Sequence, residues 1–127
     1  MELRPISSKD INLLNSFSYA NLNEQEKSDL IQCSVNRLNA DRYFEMFLAF
    51  QNNKCIGIVN VAERTDCIVT CIPEIIEAER HKGYGFEALI AILSLMFEKG
   101  YTQVITGAFS TPYASGGIDA QMRCILS

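Results

Sequence analysis

The sequence predicts an α/β (α+β) fold. It should be a mixed, mostly antiparallel sheet flanked by helices, in the order β-α-α-β-β-β-α-β with a short final strand to follow. Three observations predict it. Two helix-start signals stand near the beginning of the chain, apolar runs of strand length separated by turn residues occupy the middle, and a long apolar segment with a clear stop leads into one more strand-like run. The 127 residues suit a single domain, residues 1–127, and 48% of them are hydrophobic against 20% charged. No internal repeat or Pro/Gly/Ser-rich linker divides them.

Leu3–Ile6 reads as the opening strand, ended by Ser7-Ser8. Ser7 followed by Asp10 resembles a capping box with the shorter acid, and Ile11, Leu14 and Phe17 then share one helical face. Asn23 with Glu26 repeats the signal ahead of Leu30, Ser34, Val35 and Leu38. Two short amphipathic helices are therefore expected between residues 8 and 39. Tyr43–Phe50 and Lys54–Val61 read as strands joined at Asn52-Asn53, two residues that tolerate the positive φ of a tight hairpin. Arg64-Thr65-Asp66 marks a second turn and Cys67–Ile76 a third strand. Pro73 inside that strand predicts a bend, a bulge or an edge position. From Gly85 to Lys99 the chain is apolar almost all round, so this helix should be covered on several sides, with Gly100 just past its end. Tyr101–Ala108 reads as the next strand, and Gln121–Leu126 as a last short one.

Eleven Lys and Arg against fifteen Asp and Glu give a formal charge of -4, which argues against general nucleic-acid or anionic-membrane binding. The longest apolar stretch falls well short of the ~20 residues needed to span a bilayer, and Met-Glu-Leu-Arg-Pro does not open like a secretory signal. Five cysteines, an odd number with no Cys-x-x-Cys, read as reduced core thiols in a cytoplasmic protein. With His81 the only histidine, no metal site is expected. Cys71 lacks the separate histidine and orienting acid that a nucleophile needs, so it too reads as a core thiol.

Chemistry concentrates in Arg80-His81-Lys82-Gly83-Tyr84-Gly85, which follows a strand and opens the long helix. Free N–H groups at a helix start carry the positive end of the dipole, and glycines let a ligand come close to the backbone. Cations at that end oppose the dipole, which favours a bound anion such as a phosphate or pyrophosphate. A P-loop would need Gly-x-x-x-x-Gly-Lys-[Ser/Thr], which is missing. Gly83-Tyr84-Gly85-Phe86-Glu87-Ala88 matches the dinucleotide fingerprint locally. Its context fails, because the next strand ends without a ribose-binding acid and only one βαβ unit fits.

Arg80-x-x-Gly83-x-Gly85 resembles the Arg/Gln-x-x-Gly-x-Gly/Ala signature of the GCN5-related N-acetyltransferases, and the order of elements is similar to theirs. Lys82-Gly-Tyr-Gly-Phe-Glu-Ala-Leu, the helix, and Glu98-Lys-Gly-Tyr-Thr-Gln-Val look like the ribosomal-protein alanine acetyltransferase branch, as does Leu3-Arg-Pro-Ile-Ser-Ser-Lys-Asp-Ile. The resemblance covers roughly residues 2–108. It implies transfer of an acetyl group from acetyl-CoA directly to a primary amine, on a small molecule or a protein N-terminus, with no metal. It further implies that backbone groups of Ile75 and Glu77 bond the pantetheine amides and that those from Arg80 through His81, Lys82, Gly83 and Tyr84 to Gly85 hold the pyrophosphate. One N–H near Ile75 or Ile76 would polarise the thioester carbonyl. A base and an acid are also required. Glu74 and Glu77 are candidates for the base, with Glu63 also near the cleft, and Tyr113 is the candidate acid. His81 stands at the phosphates instead.

The sequence departs from the family after the last shared strand. Where relatives place Asn, Ser and an acid-donating Tyr ahead of a hairpin, this chain has Phe109-Ser-Thr-Pro-Tyr-Ala-Ser-Gly-Gly-Ile-Asp, and its C-terminal part is short. Three explanations stand open: a shorter sheet, a sheet completed by a homodimer partner, or a degenerate acceptor side. The last would make the chain a CoA-binding or protein-interaction domain without turnover.

Overall fold

The structure, a computed structural model, describes residues 1–106. Five strands form one sheet in the order β1-β2-β3-β4-β5: β1 (Glu2–Pro5), β2 (Phe44–Gln51), β3 (Lys54–Thr65), β4 (Ile68–Ile75) and β5 (Gln103–Thr106). The first three pairings are antiparallel and β4–β5 is parallel. Helix α1 (Glu24–Asn36) lies on one face and α2 (Tyr84–Glu98) on the other. This is the predicted mixed, mostly antiparallel architecture. The proposed strand at Gln121–Leu126 and Tyr113 lie outside the described residues.

The first predicted helix is corrected in kind. Residues Ser8–Ser16 and Ser18–Asn21 are 3-10 turns, not an α-helix. The reason is legible in the spacing: Ile11, Leu14 and Phe17 recur every three residues, the period of a 3-10 helix, and Leu14 and Phe17 are buried. Asp10 accepts from both the Ser7 N–H (2.9 Å) and its hydroxyl (3.0 Å). At α1 the predicted box is present, with Glu26 N–H donating to Asn23 Oδ1 at 2.8 Å and Asn23 N–H to Glu26 Oε1 at 2.9 Å. The buried face, however, carries Lys27, Ile31 and Ser34, while Val35 and Leu38 are half exposed. Polar side chains occupy this face because each finds a partner. Ser34 Oγ accepts from the Met46 N–H at 2.8 Å, and Lys27 Nζ donates to Asn15 Oδ1 at 2.6 Å.

Asn52 and Asn53 adopt φ of 52° and 65°, the twin positive values of a tight hairpin turn. β3 runs four residues past its predicted end, which moves the next turn to Asp66-Cys67. Sheet and α2 share a core of Phe47, Val59, Val61, Val69, Cys71, Ala88, Leu89, Ile92, Leu93, Met96, Tyr101 and Val104. Among the described residues only that face of α2 is covered, and Phe86, Ile90 and Phe97 remain exposed, against the expectation of cover on several sides. The helix stops where predicted. With Gly100 at φ 102°, its N–H reaches the Phe97 carbonyl (3.0 Å) and the Tyr101 N–H reaches that of Met96 (3.2 Å), a Schellman closure.

Candidate functional site

The site is built at the end of β4 that lies beyond its described pairing with β5. Ile76 N–H donates to the Ile56 carbonyl at 2.9 Å, whereas the Cys67 carbonyl accepts from Thr102 and Gln103. Backbone groups alternate sides along a strand, so even-numbered residues of β4 bond β3 and odd-numbered ones face β5. The last described β4–β5 pair is Cys71 with Thr106. Beyond it, Pro73 and Ile75 turn their backbone toward the β5 side with no strand partner among the described residues.

This arrangement resolves the proline. Pro73 has no N–H to give, but it stands opposite Val59 at a position where none is owed to β3, and the register with β3 runs unbroken through Glu74 and Ile75. Of the three outcomes expected for it, no bulge against β3 occurs at Pro73, and on its other side Pro73 has no strand partner among the described residues. Ile76 is excluded as a cleft donor because Ile56 already accepts from it. The Ile75 carbonyl accepts from Arg80 Nε at 2.9 Å. The cleft-facing edge therefore offers the Ile75 N–H as donor and the Pro73 carbonyl as acceptor.

A short turn, Glu77–Glu79, carries the chain from β4 to α2. Glu77 is exposed on it and does not share the burial of Glu74. His81 (φ 68°) and Gly83 (φ 83°) are both left-handed, with Lys82 between them. Alternation of this kind turns successive N–H groups inward to form an anion-binding concavity. The first α2 bond recorded at its start runs from Glu87 N–H to the Gly83 carbonyl at 3.1 Å, so Tyr84, Gly85 and Phe86 have N–H groups without an acceptor inside the helix. Gly83 supplies no capping side chain. A Cβ at Gly83 would meet nothing within 4 Å, and one at Gly85 only Ile75 Cγ1 at 3.9 Å. The left-handed backbone accounts for glycine at Gly83, but among the described residues no close contact accounts for it at Gly85, and no described atom crowds either position.

Lys82 is engaged with the protein itself. Its ammonium lies 2.9 Å from Glu79, which also meets Lys54 at 3.4 Å. The hydrogen bond from Lys82 holds the Glu79 carboxyl below the usual range, and the same contact raises Lys82. Arg80 forms no ion pair among the described residues and is oriented by the Ile75 carbonyl.

On the sheet face away from α2, Glu74 is 9% exposed. Its two oxygens accept from the Ser18 N–H and the Ser18 hydroxyl, each at 2.8 Å. One residue on, Tyr19 Oη bonds Asn60 Nδ2 at 3.0 Å, and burial first, then the charge of Glu74, keeps the phenol protonated above its ordinary range, against the bond from Asn60. Sequence reading missed Ser18, Tyr19 and Asn60. Asn60 was the available signal, a polar residue inside Ile56-Gly-Ile-Val-Asn-Val. Glu63 is at the other end of the sheet, accepting from Tyr101 Oη at 2.6 Å and pairing with Arg42. Cys71 is a core thiol as predicted, its pKa pushed up to about 12 by burial.

The fold is that of the GCN5-related N-acetyltransferases. An N-acetyltransferase from Staphylococcus aureus Mu50 superposes with a TM-score of 0.71 at 14% identity, over 96% of this chain and 81% of that one. The PaiA N-acetyltransferase of Thermoplasma acidophilum, solved in complex with coenzyme A, gives 0.63 at 16% identity, over 97% and 87%. A ribosomal-protein-alanine N-acetyltransferase from Brucella melitensis biovar Abortus 2308 gives 0.64 at 16% identity, over 95% and 89%. No protein-family model and no curated protein sequence matches the chain. At these identities the likeness is one of architecture. Among the described residues no helix is long and apolar enough to cross a membrane, and no cluster of His, Cys, Asp or Glu is disposed to hold a metal ion.

Proposed function

We propose that this chain is an acetyl-CoA-dependent N-acetyltransferase acting on a primary amine, carried by a small molecule or a peptide. One observation carries the reading. Among the described residues, the stretch of β4 at Pro73 and Ile75 has no partner on its β5 side and leads through a short turn into a helix start with no described atom crowding Gly83. That continuous track suits a molecule with an amide-bearing arm and a diphosphate, and bound acetyl-CoA would supply an activated acetyl thioester there. The Ile75 N–H and Pro73 carbonyl bond the arm. The amides from His81 to Gly85 take the diphosphate, because the Arg80 N–H is bonded to the Glu77 carbonyl at 3.2 Å, while the Arg80 guanidinium adds positive charge and Lys82 exchanges Glu79 for phosphate oxygens. Proton transfer is assigned to Glu74 or Glu77 as the candidate carboxylate, with Tyr113, named from the sequence, as the candidate acid. The cytoplasm is the matching compartment.

A second reading, a domain that binds CoA without turnover, has one observation in its favour. Pro73 removes an N–H from the middle of the cleft edge, which leaves the Ile75 amide alone to polarise a carbonyl. Calorimetric titration with acetyl-CoA, with inorganic phosphate as the control, tests what both readings share. Absence of binding refutes both. Thiol release over a panel of amines and N-terminal peptides separates the two. Gly83→Glu should abolish acetyl-CoA binding, because it places a carboxylate before the phosphate-binding amides at a residue with φ 83°; retained affinity contradicts the placement of the diphosphate.

A further inference from the structure

Glu79 is held by two lysines that come from different parts of the chain. Its Oε2 lies 2.9 Å from the Lys82 ammonium and its Oε1 3.4 Å from that of Lys54. Lys82 stands just before α2, whereas Lys54 opens β3 directly after the Asn52-Asn53 turn. The backbone fixes the acid between them. Glu79 N–H donates to the Ile76 carbonyl at 3.0 Å, and Ile76 N–H donates to the Ile56 carbonyl at 2.9 Å, on the same strand as Lys54. The Glu79 side chain is 17% exposed, against 53% for Lys82 and 63% for Lys54. The carboxylate is thus the set member of the group, and the two ammonium groups end flexible, half-solvated stems that can reorient.

A ligand phosphate would be received in the same way. A carboxylate with one ammonium on each oxygen makes the kind of charge-assisted bonds that a phosphate makes through two of its own oxygens. The pairing also meets an electrostatic need. Cations beside a helix start oppose its dipole, and the amides of Tyr84, Gly85 and Phe86 have no acceptor inside the helix. Such a region calls for a counter-ion, and Glu79 supplies one from the turn that leads into it. An anion arriving at the α2 start meets lysines already engaged by the chain's own carboxylate.

We infer that Glu79 is an internal competitor for the ligand's phosphate, and that Lys54, released with Lys82 when the phosphate arrives, is a further phosphate-binding residue supplied by β3. This deepens the acetyl-CoA reading and rests on it for the identity of the phosphate carrier. Affinity is then set by exchange: two ion pairs to Glu79 are given up as those to phosphate form. Exposed pairs of this kind are individually weak, so the exchange is reversible and costs the ligand only a few-fold in affinity.

The test titrates inorganic pyrophosphate into the full chain at fixed ionic strength, followed by calorimetry. Glu79→Gln keeps the size of the side chain and removes the competing charge, and should tighten binding about threefold. Glu77→Gln removes the same charge from the same turn but touches neither ion pair, and should change affinity less. In the Glu79→Gln protein, a further Lys54→Ala should weaken binding about threefold. Unchanged or weaker binding in Glu79→Gln, an equal gain in Glu77→Gln, or no pyrophosphate binding in any of these proteins overturns the competition. Unchanged affinity on removing Lys54 from the Glu79→Gln protein overturns its role, leaving it an anchor for the acid. Acetyl-CoA titrated in parallel separates the two readings. Pyrophosphate binding that responds to Glu79→Gln without any binding of acetyl-CoA removes the acetyltransferase reading and upholds the exchange. Acetyl-CoA binding indifferent to Glu79→Gln upholds that reading and removes the exchange.

Discussion

An alanine at Gly57 would bring its Cβ to 2.9 Å from the Glu74 carbonyl oxygen and 2.7 Å from Ile75 Cδ1. Ile75 Cδ1 is the end of a side chain and can rotate away. The Glu74 carbonyl cannot, because it belongs to the even-numbered set that bonds β3. Two effects then oppose each other. Replacing glycine by alanine restricts the unfolded chain and contributes about 0.4–1 kcal/mol of stability where the native backbone accepts it. Forcing an extra methyl into a packed sheet costs about 1–3 kcal/mol. The clash wins, with a net loss of about 1–2 kcal/mol, which at this chain length lowers the melting temperature by roughly 4–8 °C. Urea denaturation and scanning calorimetry of Gly57→Ala measure it directly. In the double variant with Ile75→Val, which removes Cδ1, part of the loss should persist, because the backbone contact with Glu74 remains. A Gly57→Ala protein as stable as the parent would refute the tight approach of β3 to the cleft strand.

Two further outcomes concern the core and the hairpin. Burial raises the Cys71 thiol from 9.0 to about 12. A raised pKa contributes stability that is whole below pH 9 and is lost as the pH climbs toward about 12, so Cys71→Ala should flatten the fall in stability over that window. Changing Asn53 (φ 65°) to Gly should leave the hairpin as stable or more so, whereas Asn53→Val should lose about 1–2 kcal/mol by urea titration.

Local chemistry was readable in the sequence wherever a few adjacent residues decide the outcome. The Asn52-Asn53 turn, the Asn23–Glu26 box and the Gly100 stop each depend on backbone dihedrals or bonds spanning no more than six residues, and all three are present in the structure. Features set by distant partners were not readable. The buried face of α1 depends on Met46 and Asn15, which satisfy Ser34 and Lys27, and apolar counting pointed instead to Val35 and Leu38. In the same way, Glu74 was visible as an acid on the cleft strand, but its partner is 56 positions away at Ser18. The direction of each amide on β4, and hence the exclusion of Ile76 as a cleft donor, emerges only once the register with β3 is known.

Pro73 has one more consequence. A bare sheet margin invites any extended polypeptide to zip onto it, which is how many proteins stick together. An imino acid in such a stretch, as Pro73 is among the described residues, spoils the ladder for an intruder while leaving its carbonyl for a guest that asks for less. Wherever this stretch of β4 stands unpaired, Pro73 therefore weakens its capacity to take on a further peptide strand.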